Sequence, residues 1–122
     1  MNAAAERRDT RRIVVGAEHT IRFLVKGHAF RNVRLTNLST GGCFAVLGQG
    51  DAPLFGRGTV LEKLAFEHPG MPSTPMTAVV VYVLGTESGQ GALDYVGLGL
   101  RFLSLPEEVA EVLEKLVTAA IG

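Results

Sequence analysis

Cysteine, tryptophan and net charge are what this sequence has little of. Its 122 residues include one Cys and no Trp, and 12 Lys+Arg are balanced by 12 Asp+Glu. A single cysteine, Cys43, forms no internal disulfide and holds no zinc without help from His or carboxylates. Zero net charge argues against a protein that coats DNA or RNA, because such affinity rests on many phosphate contacts. No apolar run approaches the roughly 20 residues that span a bilayer, so membrane insertion is not expected. The opening stretch MNAAAERRDTRR has no apolar segment and does not read as a secretory signal, which points to the cytoplasm. Apolar residues, by contrast, are plentiful. At 47% hydrophobic the chain has too much apolar content for disorder and enough for one packed domain.

The zero is a sum of unequal parts. Residues 1–34 carry eight cations (Arg7, Arg8, Arg11, Arg12, Arg22, Lys26, Arg31 and Arg34) against Glu6, Asp9 and Glu18, a net +5, and the remainder carries −5. Four of the arginines fall within six residues. A short basic region on an otherwise acidic body suits one compact anion better than a polyanion.

Residues 1–12 are polar and without apolar periodicity, and read as a flexible Arg-rich segment. Residues 13–122 read as one domain. Within it, from Thr20 to Val25, Ile21, Phe23 and Val25 alternate with Thr20 and Arg22, the period of a half-buried strand. Lys26-Gly27-His28 is a turn into a second strand at Phe30 to Thr36. Further strands are expected at Cys43 to Leu47, Thr59 to Phe66, Thr77 to Leu84 and Leu93 to Leu103. Leu61, Leu64 and Ala65 would also suit a short helix. Residues 48–58 and 85–92 are Gly-rich connections, and 68–75 a Pro-rich one. Gly97 and Gly99 alternate with Val96, Leu98 and Leu100, which implies close approach by a neighbouring element or tight curvature. The period then changes: Val109, Val112, Leu113, Leu116 and Val117 trace an amphipathic helix over 105–121. Ser104 and Glu107 suit a capping box at its start, with Pro106 in the first turn. Regularly spaced short strands with turn signals and one terminal helix point to a small antiparallel barrel.

Two local patterns carry chemistry. Arg7-Arg8-Asp9-Thr10-Arg11-Arg12 contains an R-x-x-x-R spacing twice, as Arg7/Arg11 and as Arg8/Arg12. Asn37-Leu38-Ser39-Thr40-Gly41-Gly42 is an N-x-S-x-x-G. Alone, the second is an ordinary tight turn, in which Asn and Ser side chains bond nearby backbone N–H groups. Together they form a mobile Arg clasp facing a rigid polar turn. Guanidinium groups fork onto phosphate and onto the O6/N7 edge of guanine, and stack on purine faces. The few residues between Arg12 and the first strand are long enough for the two patterns to meet.

These two motifs, with the late strand Gly99-Leu100-Arg101-Phe102 and the run Leu103-Ser104-Leu105-Pro106-Glu107-Glu108 entering the helix, resemble the PilZ domain family, bacterial receptors for cyclic di-GMP. The resemblance runs over roughly residues 6 to 121. It implies an all-β fold, a six-stranded antiparallel barrel with a C-terminal α-helix, and no catalysis. By the same resemblance Arg8 and Arg12 clasp guanine and phosphate, Asn37, Ser39 and Gly42 line the floor, and Arg7 and Gly41 assist. Asn37 stands where the family more often has Asp, which removes a charged acceptor for guanine N–H donors. The doubled spacing leaves either arginine pair able to serve.

The expected function is a cyclic di-GMP receptor or adaptor that changes conformation, and its partner or oligomer contacts, on binding. The alternative is a PilZ-like interaction adaptor that binds nucleotide weakly or not at all. Partners on this reading are cyclic di-GMP and a protein of unknown identity, with the chain a monomer or a ligand-modulated homodimer. No cofactor, metal or polymeric nucleic acid is expected. His19, His28 and His68 have no ligand spacing with one another or with Cys43. Cys43 itself, opening an apolar strand, reads as a small buried hydrophobe.

Overall fold

A computed structural model describes residues 11–85 and 95–121. Its strands are β1 (Ile13–Val14), β2 (Thr20–Val25), β3 (His28–Leu38), β4 (Gly42–Gly48), β5 (Val60–Phe66), β6 (Met76–Leu84) and β7 (Tyr95–Ser104). A 3-10 helix, Gln49–Leu54, follows β4, and α1 (Glu107–Ile121) ends the chain. All pairings are antiparallel, in the order β1-β3-β2-β5-β6-β7-β4, and a β3–β4 pairing closes β2 to β7 into a six-stranded barrel. Closure leaves no free edge among these six strands. The strands and the fold class follow the alternation in the sequence.

β3 is the longest strand and makes closure possible. Its first part, His28 to Arg34, pairs with β2, and its last part, Arg34 to Leu38, pairs with β4. Beyond the end of β2, the two-residue β1 takes the vacated side of β3. The turn from β2 to β3 has Lys26 at φ 50° and Gly27 at φ 83°, the two positive values of a tight hairpin turn.

Inward positions alternate along β2, β3, β4 and β7. Ile21, Phe23 and Val25 of β2, Val33 and Leu35 of β3, Ala45 and Leu47 of β4, and Val96, Leu98 and Leu100 of β7 are all buried. In α1, Val109, Leu113 and Val117 are buried and extend the core, with Val112 and Leu116 half-buried beside them. Burying each such side chain contributes about 1.5–3 kcal/mol.

The ambiguous stretch at Leu61–Leu64 is a strand with an extra residue. Leu61 pairs with Ala78 and Leu64 with Met76, so β5 carries one residue more than β6 between them. Lys63 in that bulge has φ 53°. The bulge turns both Leu61 and Leu64 inward, which is why their three-residue spacing mimics a helix.

The capping box at Ser104 does not form. Ser104 is the last residue of β7, α1 begins at Glu107, and the Ala110 N–H donates to the Pro106 carbonyl at 2.9 Å. The strand runs too far to leave Ser104 at the helix start. Glu107 and Glu108 in the first turn are favourably placed at the positive end of the helix dipole. The expected Gly-rich connection at 85–92 lies almost wholly outside the described residues.

Candidate functional site

The β1–β3 ladder brings the two sequence patterns together. Ile13 pairs with Leu38 and Val14 with Asn37, and the Val15 N–H donates to the Thr36 carbonyl at 3.2 Å. Arg12, one residue before β1, is thereby held beside the end of β3. Its Nη1 donates to Asn37 Oδ1 at 2.6 Å across 25 residues of sequence. Arg11 is exposed beside it, and Arg7 and Arg8 lie outside the described residues.

The turn after β3 is built by Ser39. Its side chain is buried, at 3% exposure, and Oγ accepts the N–H groups of Gly41 at 3.1 Å and Gly42 at 3.2 Å. The Ser39 N–H donates to the Gly42 carbonyl at 2.8 Å, closing the turn from its other side. Ser39 therefore shapes the site, while Asn37 and Gly41 remain on its surface.

β7 fastens this turn from beneath. Gly42 pairs with Arg101, and the Phe102 N–H donates to the Gly41 carbonyl at 2.9 Å. A Cβ on Gly42 would collide with the Leu100 carbonyl oxygen, so only glycine permits this approach. Arg101 stands exposed next to the turn, a cation that motif spacing alone did not single out.

Outward positions continue the site across the barrel wall. Val14, Asn37, Phe44, Gly99 and Tyr82 are successive register partners on β1, β3, β4, β7 and β6. Phe44 lies over Gly97 and Tyr82 over Gly99, and the two rings are 6.0 Å apart at 30°. The alternating glycines of β7 are thus the floor for two aromatic rings. Val14 is 90% exposed and Tyr82 40%, so the row starts and ends in open apolar surface. The sequence hinted at this only through Gly97 and Gly99, since which rings cover them is a matter of register.

Inside the wall, Cys43 is fully buried. Burial pushes its thiol up to about 12, with the positive charge of Arg12 acting weakly the other way. It is a protonated, small core residue, as its place in the apolar pattern implied.

The structure joins His19 to His68, which spacing had left apart. Their rings stack at 4.3 Å with an interplanar angle of 11°. Glu18, His19 and His68 each offer a ligand atom, all within 4.8 Å of one another. Lone pairs in near-parallel rings do not converge on one ion, and His68 Nδ1 already accepts the Gly70 N–H at 2.9 Å. His19 is buried, and its Nδ1 has no partner among the described residues. Desolvation, and next the proximity of His68, hold its imidazole below the ordinary value, with Glu18 opposing.

Residues 6–119 match the PilZ domain family. Among solved structures, the chain is similar to the PilZ domain of YcgR from Escherichia coli with c-di-GMP, at 19% identity and a TM-score of 0.68, covering 93% of this chain and 91% of that one. It is also similar to the K. pneumonia MrkH–c-di-GMP complex, at 18% identity and TM-score 0.70, covering 94% of this chain and 52% of that one. A third is the Bacillus subtilis inhibitor of motility MotI/DgrA, at 18% identity and TM-score 0.69, covering 93% of this chain and 50% of that one. The chain thus spans about half the length of MrkH and MotI. No curated protein sequence matches it.

Proposed function

Since this chain belongs to the PilZ domain family, we propose that it is a cytoplasmic receptor and adaptor for cyclic di-GMP rather than an enzyme. The observation that carries this reading is the 2.6 Å contact between Arg12 and Asn37, which joins the arginine segment to the polar turn at one end of β3. Proteins of the same fold have been solved with c-di-GMP bound.

The proposed mechanism follows from what each group offers. Arg12, with Arg8 and Arg7 ahead of it, forks onto phosphate or the O6/N7 edge of guanine and stacks on a purine. Asn37 presents an amide that both donates and accepts, and exchanges its bond to Arg12 for bonds to the base. Gly41 and Gly42 keep the turn low enough for a ring to approach, on a surface that Ser39 holds rigid. The row through Phe44 and Tyr82 extends the surface with aromatic faces. Holding several arginines on one ligand costs conformational entropy, which their contacts must outweigh. Ligand held by Arg12 at the end of β3 alters what a protein partner or a second copy can touch there.

The neutral Asn37 favours one further reading, an interaction adaptor whose nucleotide site is weak. Calorimetry with cyclic di-GMP separates the two. Saturable heat at micromolar ligand, lost in Arg8→Ala plus Arg12→Ala, supports the receptor; absence of heat with partner binding intact supports the adaptor.

A further inference from the structure

The basic residues of the first third are not all at the clasp. Arg22, Arg31 and Lys63 line a cavity of about 190 Å³ on the outside of β2, β3 and β5, with Leu24 and Phe30 among its apolar walls. β2 and β5 lie across the barrel from β7 and β4, the strands that carry Gly99 and Phe44. The three cations are exposed and make no side-chain hydrogen bond or ion pair among the described residues.

The backbone around this cavity is irregular on both sides of β2. Arg31 and Asn32 of β3 together oppose Arg22, and Asn32 has φ 55°. Across the strand, Lys63 and Leu64 together oppose Phe23, and Lys63 has φ 53°. A left-handed lysine is held against its own preference, and bulges re-aim side chains. Here the two bulges put Arg31 and Lys63 on either side of Arg22. Beneath them the floor is stiff: Phe30 stacks on Phe23 at 5.4 Å and packs on Phe55 at 5.5 Å. The nearby acids are Glu62, exposed opposite Leu24, and Glu67, whose carboxylate accepts from Thr20 Oγ1 and the Asn32 N–H.

From these relationships we infer that the outer face of β2, β3 and β5 docks an acidic segment of a partner protein, seating one apolar side chain between Arg22, Arg31 and Lys63. The cavity is concave and aromatic-floored, unlike a lipid-facing surface. Three cations beside Glu62 are too few and too mixed for a nucleic-acid backbone, whose affinity grows with the number of phosphates contacted. Carboxylates flanking an apolar residue match both the rim and the floor. This docking face supplies the class of partner for the adaptor proposed above, on whose reading it rests, and shares no residue with the nucleotide clasp.

Amide-resolved NMR titration with the pentapeptide EDLED tests it. The expected result is saturable shifts confined to the amides of Arg22–Leu24, Phe30–Asn32 and Lys63, weakened roughly tenfold in Arg22→Gln plus Lys63→Asn. Asparagine accepts the left-handed conformation at 63, so an otherwise unchanged spectrum shows that the variant is folded. Absence of localised shifts, or equal binding by the double variant, overturns the proposal. So does a stronger response of the same amides to oligothymidylate or to phosphatidylserine-containing vesicles. Cyclic di-GMP reports on a different set, Arg12, Asn37 and Gly42, so failure there leaves the EDLED result intact and readable.

Discussion

Gly42 lies directly against the carbonyl of Leu100, with no room for a side chain between the turn and β7. The neighbouring Gly41 differs: the nearest atom to a Cβ there is Ser39 Oγ at 4.0 Å. The two glycines of the motif are therefore not equivalent. Gly42→Ala forces backbone apart and is expected to lower stability by about 1–3 kcal/mol. Gly41→Ala is expected to change it by no more than about 0.5 kcal/mol. Thermal unfolding of the pair checks this; equal losses would contradict the packing of the turn on β7.

Ser39 makes a separable contribution. Ser39→Ala removes the acceptor of the Gly41 and Gly42 N–H groups, the second of them at a buried position. A cost of about 1–3 kcal/mol is expected, measured as a shift in urea midpoint at constant slope. If Ser39 acted only as a ligand contact, stability would be unchanged and only affinity would fall.

How far this site was legible in the sequence depends on which contacts were local. The Asn37–Gly42 turn is a six-residue pattern, and the bonds of Ser39 to Gly41 and Gly42 that shape it close within it. Strands β2 and β7 announced themselves by alternation, β6 by its β-branched run, and α1 because its apolar positions recur at helical spacing. Less visible were features set by register. β1 is two residues long and exists because β3 overshoots β2. The bulge at Lys63 hides the strand period at Leu61 and Leu64. Tyr82 over Gly99, and His19 against His68, join residues far apart in sequence that only barrel closure brings together. Ser104 misled for a related reason: a cap signal is local, but the strand before it continues through that residue.

Burial of His19 is expected to make stability fall on the acid side. His19 has a folded-state pKa below its ordinary 6.5, chiefly through desolvation. The unfolded state therefore binds the proton more readily, and stability rises with pH through this range. It is fully present above about 6.5 and is lost as pH falls through the depressed folded value. Urea unfolding at pH 5 against pH 7.5 should show the loss. His19→Phe, which keeps a ring on His68, should flatten the dependence; an unchanged pH profile would assign it elsewhere.

The bond between Arg12 and Asn37 yields the prediction that bears most directly on function. Arg12 is exposed, so Arg12→Ala should leave the unfolding midpoint within about 0.5 kcal/mol of the parent. If the guanidinium donates to the ligand, its loss removes a charge-assisted bond of about 1.5–3 kcal/mol, roughly a ten- to hundredfold weaker affinity for cyclic di-GMP. Asn37→Asp works in the opposite direction. It supplies a charged acceptor for guanine N–H donors and should tighten binding by a few-fold, with the gain shrinking as salt is raised. Calorimetry on the three proteins at two salt concentrations decides the matter. A carboxylate that weakened binding would mean that Asn37 serves the ligand as a donor, through its amide N–H₂, and that the arginines alone supply the charge complementarity.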